Sequence, residues 1–260
     1  MTALAARRRH PLATAVLVLL GLIVAGLAYA AVAPGQAKAA EGTASDIEAG
    51  RKLYLANCAT CHGLTATGRE FAPSLVGVGA AAVDFQVGSG RMPMEASGPQ
   101  AADAKVYFTD AEISQLTAYV SSLGPGPAVP AESDLNLKGA DPAKGALIFR
   151  TNCAMCHNFA GSGGALTMGK YAPNIRAAGP KELWEAMVTG PQSMPVFNNQ
   201  TMTPQSKRDI MAFLALANQT PSPGGLQVGS FGPVTEGLVA WVLGLGLLIG
   251  AAVWLGSKSA

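Results

Sequence analysis

The chain has 260 residues, room for one or two domains. Its formal net charge is only +2, and no nucleic-acid partner is expected. All four cysteines and two of the three histidines fall inside two short Cys-x-x-Cys-His blocks, which excludes a scattered disulfide framework.

In chain order, three arginines at 7–9 are followed by His10 and Pro11. From Leu12 to Ala33 there is no charged residue, a run of 22 that is long enough to cross a bilayer. A basic start and small residues around Tyr29 also fit a secretory signal, although a cleaved apolar region is usually shorter. Residues 1–37 are therefore read as an anchor, with a cleaved signal as the alternative. His10 belongs to the basic flank, not to a site.

A capping pattern, Ser45-x-x-Glu48, opens the first helix of a domain spanning 41–123. It leads to Cys58, Cys61 and His62, then to Ala72-Pro73 and Met92-Pro93. Thr109-x-x-Glu112 opens the domain's last helix. A proline-rich linker at 124–139 should be semi-rigid. A second domain, 140–218, starts with Asp141 as cap and Pro142 at the first helical position. It carries Cys153, Cys156 and His157, then Ala172-Pro173 and Met194-Pro195, and Thr203-Pro204 opens its last helix. A Gly/Pro-rich segment at 219–233 leads to a transmembrane helix at 234–256. Val234 to Leu255 holds one charge, Glu236, with Trp241 and Trp254 as candidate interface residues. No stretch shows sustained β alternation, so the class is all-α.

The two domains are one unit written twice. Aligning Cys58 with Cys153 sets "AGRKLYLANCATCHG" against "AKGALIFRTNCAMCHN" and "FAPSLVGVG" against "YAPNIRAAG". It also pairs Met92-Pro93 with Met194-Pro195. Three chemistries compete for the cysteine blocks. A redox pair wants a βαβ context, which is absent. Two pairs of cysteines could build a zinc site. Covalent haem attachment needs two thiols for the porphyrin vinyls and the adjacent histidine for iron, and each block is complete for one haem. A sixth ligand should lie downstream. Met92 and Met194 are the candidates, with Met94 as alternative to Met92; Met168, Met187 and Met202 compete less well in the second domain.

The order helix, Cys-x-x-Cys-His, Ala-Pro, Met-Pro, helix resembles the class I cytochrome c domain, over residues 45–123 and again over 140–218. The resemblance implies that Gly50 and Tyr54 cross Leu116 and Tyr119, and that Gly145 and Phe149 cross Ile210 and Phe213. Spacings of three and four place each pair on one helix face. It also implies that the carbonyls of Pro73 and Pro173 accept the N–H of His62 and His157.

Over nearly its full length the chain resembles the di-haem cytochrome cc subunits of actinobacterial quinol–cytochrome c reductases. That resemblance implies two covalently bound haem c groups and one-electron relay from a Rieske centre to a terminal oxidase, with menaquinol as the reductant of the complex. The expected partners are cytochrome b, a Rieske iron–sulfur subunit and a haem–copper oxidase. The chain itself would have no catalytic residues and no substrate site. The alternative is an electron-transfer subunit of another membrane oxidase or of a dehydrogenase. Cationic flanks place both termini in the cytoplasm and the haem domains on the extracytoplasmic side of the cell membrane.

Charge divides unevenly. Residues 41–123 carry nine acidic and five basic side chains, a net of −4, and residues 138–218 carry four and eight, a net of +4. Either this is ordinary surface variation, or the two domains attract each other or dock on different partners.

Overall fold

The structure, a computed structural model, describes residues 11–32, 42–96, 98–219 and 233–258. By its contacts the chain divides into Met1–Lys38 and Ala39–Ala260. The first unit contributes helix α1 (Pro11–Val32). It is apolar along its length, and none of the residues Leu12–Tyr29 is buried. The arginines at 7–9 and His10 lie outside the described residues.

In the second unit the first copy comprises α2 (Ala44–Asn57), α3 (Ala59–His62), α4 (Ala80–Gly88) and α5 (Asp110–Ser122). After α6 (Glu132–Leu135), the second copy comprises α7 (Pro142–Asn152), α8 (Ala154–His157), strands β1 (Gly164–Ala165) and β2 (Tyr171–Ala172), α9 (Pro180–Thr189) and α10 (Pro204–Gln219). Helix α11 (Pro233–Ser257) ends the described chain. It too is long and apolar enough to cross a membrane, and no residue of its span Val234–Ser257 is buried. Lys258 lies over the Trp254 ring, its Nζ 4.1 Å from the centroid. The protein is mainly helical, as its sequence implies; β1 and β2 form one antiparallel pair of two residues each. The segment between α10 and α11 lies outside the described residues.

Local chemistry explains the helix starts. Helix α2 opens two residues before the expected position. Thr43 Oγ1 accepts from Asp46 N at 3.2 Å, while Asp46 Oδ2 accepts from Thr43 N at 3.0 Å. Thr43-x-x-Asp46 satisfies the reciprocal cap as well as Ser45-x-x-Glu48 could, and Glu48 instead takes Arg51, 2.9 Å away. The other three starts are as expected. Thr109 and Glu112 form a reciprocal cap, Asp141 accepts from Ala143 N and Lys144 N, and Thr203 accepts from Ser206 N.

In each copy the first and last helices cross at a glycine. A Cβ on Gly50 would collide with the carbonyl oxygen of Gln115, and one on Gly145 with that of Asp209. Only a residue without a side chain lets the backbones approach this closely. Beside each crossing lies an aromatic pair. Tyr54 and Tyr119 have ring centroids 5.2 Å apart, and Phe149 and Phe213 5.3 Å apart. Tyr54 and Phe149 are wholly buried at the centres of two separate cores, as the repeat demands.

The linker is not a free tether. Pro127 O accepts from Ala81 N at 3.0 Å in the first copy, while Leu135 and Leu137 pack against the second core. The copies also touch directly through α4 and α9. Lys181 pairs with Asp84, and Arg91 Nη1 lies 3.5 Å from Glu182 Oε1. Gln100 pairs with the backbone of Tyr171 as a strand would: Nε2 donates to Tyr171 O at 3.0 Å, and Oε1 accepts from Tyr171 N at 2.8 Å. Of the two ion pairs, Lys181–Asp84 follows the charge asymmetry of the copies and Arg91–Glu182 runs against it.

Candidate functional site

Each Cys-x-x-Cys-His block forms the short helix that follows the first long helix, with a cysteine as the joint. Cys58 N donates to Tyr54 O and His62 N to Cys58 O; Cys153 and His157 repeat both bonds. The four cysteines form no disulfides. Burial, and secondarily the neighbouring Cys61, pushes the Cys58 thiol up to about 11; burial and Cys156 do the same for Cys153. Both thiols are therefore neutral at physiological pH.

The two histidines are buried and held alike. Pro73 O lies 2.8 Å from His62 Nδ1, and Pro173 O lies 3.1 Å from His157 Nδ1. A carbonyl only accepts, so each ring carries its proton on Nδ1 and presents Nε2 as a lone-pair donor. Burial lowers the pKa of His157, opposed by the hydrogen bond to Pro173, and keeps the ring in the neutral form that a metal requires.

The loop that carries each proline is fixed against its histidine. Gly68 N donates to His62 O and Gly163 N to His157 O, both at 3.0 Å. The proline follows its histidine by 11 residues in the first copy and by 16 in the second, and the five extra residues lengthen the turn closed by the Arg69–Ala72 bridge in the first copy into the β1–β2 hairpin. Growing outward as a hairpin, the insertion leaves the proline carbonyl where the first copy has it. The hairpin also reaches the methionine loop, since Lys170 Nζ donates to Ser193 Oγ at 3.2 Å.

Met92 is half-buried against the first core, which Cys58 also touches, and Met92 N donates to Gln86 O at 2.9 Å. Met94 is 38% exposed at the surface. In the second copy Met194 lines the same cleft as Cys153, Cys156 and His157. Met168 is 87% exposed, and Met202 is buried in the core away from the cleft lining. Met187 is buried and also borders the cleft.

That cleft has about 1260 Å³ of empty space, its open mouth included. Its walls are mainly apolar, with Phe149, Leu183, Ile210 and Leu214 among them. Two thiols, an imidazole with a free Nε2 and a thioether on one apolar space suit a large flat macrocycle carrying iron. The two blocks belong to separate cores and do not converge. Among the described residues no three of His, Cys, Asp and Glu gather as a zinc centre would need.

One wall was not anticipated. Phe85, Arg91 and the stretch Gln100 to Asp103, all from the first copy, border the second copy's cleft. Reading the repeat one copy at a time hides this. The available signal was Arg91, directly before Met92 and the one charge between Phe85 and Met94.

Comparison with known families agrees with this geometry. Residues 47–124 match the family model described as Cytochrome c, and residues 140–214 match that of cytochrome c oxidase, cbb3-type, subunit III. Fold and site thus define a tandem cytochrome c, with apolar helices near the N-terminus and at the C-terminus. The chain is 42% identical to the cytochrome bc1 complex cytochrome c subunit of Corynebacterium efficiens, covering 96% of this chain and 90% of that one. It is 41% identical to the subunit of that name from Mycobacterium tuberculosis, covering 97% and 93%, and 38% identical to that of Mycobacterium leprae, covering 94% and 87%. The chain belongs to the family of cytochrome bc1 complex cytochrome c subunits.

Proposed function

We propose that this chain is the membrane-held di-haem electron relay of a menaquinol-oxidising cytochrome bc1 complex. The observation that carries the reading is the second cleft, where Cys153, Cys156, His157 and Met194 face one apolar space. Cys58 and Cys61 hold one haem and Cys153 and Cys156 the other, through thioether bonds to the vinyl groups. His62 with Met92, and His157 with Met194, are the axial ligands. Bound in this way, each haem supplies a one-electron couple.

The protein's own part is to position and to tune. Each proline carbonyl fixes its imidazole and raises the basicity of Nε2. As the further ligand, the Met92 or Met194 thioether would favour the reduced state and raise the potential. With a histidine and a methionine both holding each iron, no coordination site would be left for a substrate. The chain is then an electron-transfer subunit of the reductase, and quinol chemistry belongs to a partner.

Helices α1 and α11 hold domains 41–123 and 140–218 at the membrane, on its extracytoplasmic side, with the C-terminus in the cytoplasm. The partners are cytochrome b, a Rieske iron–sulfur subunit and a terminal haem–copper oxidase. The first domain faces the donor and the second faces the oxidase. The match of residues 140–214 to an oxidase subunit favours a second reading, an oxidase's own electron-entry subunit. It covers one domain, whereas the bc1 relatives cover nearly the whole chain.

The test is capture of the chain by a C-terminal tag from mildly solubilised native membranes. Cytochrome b, a Rieske protein and oxidase subunits are expected alongside it, with a c-type haem spectrum. Oxidase subunits without cytochrome b would establish the second reading. A colourless preparation would remove the haem reading altogether.

A further inference from the structure

Arg91 stands between the two haem sites. In sequence it adjoins Met92, yet its side chain borders the second domain's cleft. It is the one lysine or arginine of that lining, where His157 is neutral; Asp103 and Glu182 are the acidic residues. Its side chain is only 9% exposed, against 40% for Glu182. The guanidinium lies 4.7 Å from the Phe85 ring centroid, and Nη1 makes no hydrogen bond. At 3.5 Å the Glu182 carboxylate is beyond good hydrogen-bond range.

A buried guanidinium with an unused donor is costly unless an anion completes it. Glu182 supplies charge but not the short, aligned bond that a guanidinium fork is shaped to make. A haem brings two carboxylates with it. We infer that Arg91, carried by the first domain, is a haem-binding residue of the second: it pairs with a carboxylate of the second haem. This rests on the haem reading above and extends it, because the second site is then incomplete without the first domain. Gln100 fixes the two surfaces together beside the cleft, through its two bonds to Tyr171.

The pairing sets a direction for tuning. A cation beside the haem disfavours the extra positive charge of the oxidised iron. Removing it leaves a bare carboxylate, which favours the oxidised state and lowers the potential.

The experiment is a spectroscopic redox titration of the purified full-length chain in its complex, as wild type, Arg91→Gln and Arg91→Lys. Met194→His, which exchanges the proposed sixth ligand, marks the second domain's couple. Arg91→Gln is expected to lower that couple by about a tenfold change in its electron-binding constant, ~59 mV for one electron. Arg91→Lys should lower it by less, since charge remains and the fork is lost. Two loaded haems with no shift, or a shift confined to the other couple, would overturn the inference and leave the haem reading standing. A wild-type chain without haem would overturn the haem reading first. Should Arg91→Gln fail to accumulate, Arg91→Lys decides, and an unmoved second couple in that variant counts against the pairing.

Discussion

Tyr54 and Phe149 occupy the same place in the two copies but differ by one hydroxyl. Tyr54 Oη donates to Gly63 O at 2.6 Å, just past His62. Tyr54→Phe makes the first copy resemble the second at this point and leaves that carbonyl without its donor. It should cost about 1–2 kcal/mol, read from denaturant unfolding of the full chain. The methionines separate by the same kind of reading. If Met194 is the sixth ligand as proposed, Met194→Ala should lower the second haem's potential, whereas Met168→Ala, at an exposed turn, should leave the optical spectrum and both potentials unchanged. A drop of potential in Met168→Ala would reverse the assignment.

Where α2 crosses α5 and α7 crosses α10, the fold depends on two absent side chains. A methyl at Gly50 or Gly145 would have to push against a backbone carbonyl, which cannot yield as a side chain can. Gly50→Ala and Gly145→Ala should each destabilise their own domain by about 3 kcal/mol or more. Gly88→Ala, at the end of α4, meets only Asp84 Oδ1 at 3.9 Å and should stabilise by about 0.5 kcal/mol. Thermal unfolding of the three variants compares them, and equal effects would show that the crossings are not close-packed. These crossings were expected from the resemblance to the class I cytochrome c domain; helical spacing by itself only places each pair on one face. The start of α2 was not, because two overlapping patterns, Thr43-x-x-Asp46 and Ser45-x-x-Glu48, meet the same local rule.

Across the whole second unit, the face between the copies should respond to pH through Glu185. Glu185 on α9 is buried, and burial, then Asp84, pushes its carboxyl up to about 9. Lys181 opposes the rise and Glu182 adds to it. The raised value means that the packed form holds a proton which the separated or unfolded form has released above its ordinary value near 4.5. Stability from this group is therefore complete below about 4.5 and is lost progressively as pH rises toward about 9. Unfolding measured across that window should show stability falling with pH, and Glu185→Gln should flatten the dependence. A rise with pH would contradict the burial of Glu185 against Asp84. Salt should matter less than the opposite charges of the domains imply, because one of the two ion pairs between them opposes that asymmetry.

By itself the sequence determined what short spacings can encode: a unit written twice, the Cys-x-x-Cys-His blocks, the aligned methionines and two apolar helices; the glycine crossings came with the resemblance to the class I cytochrome c domain. Each of these depends on residues close in the chain, or on one copy repeating the other. Tertiary structure decided what depends on distance. It used the five extra residues of the second copy to lengthen a turn into a hairpin that spares the Pro173 carbonyl, and it packed Leu135 and Leu137 of the linker against a core. It also brought Arg91 of one domain to the cleft of the other. No periodicity marks such a contact, because it arises only when two finished surfaces meet.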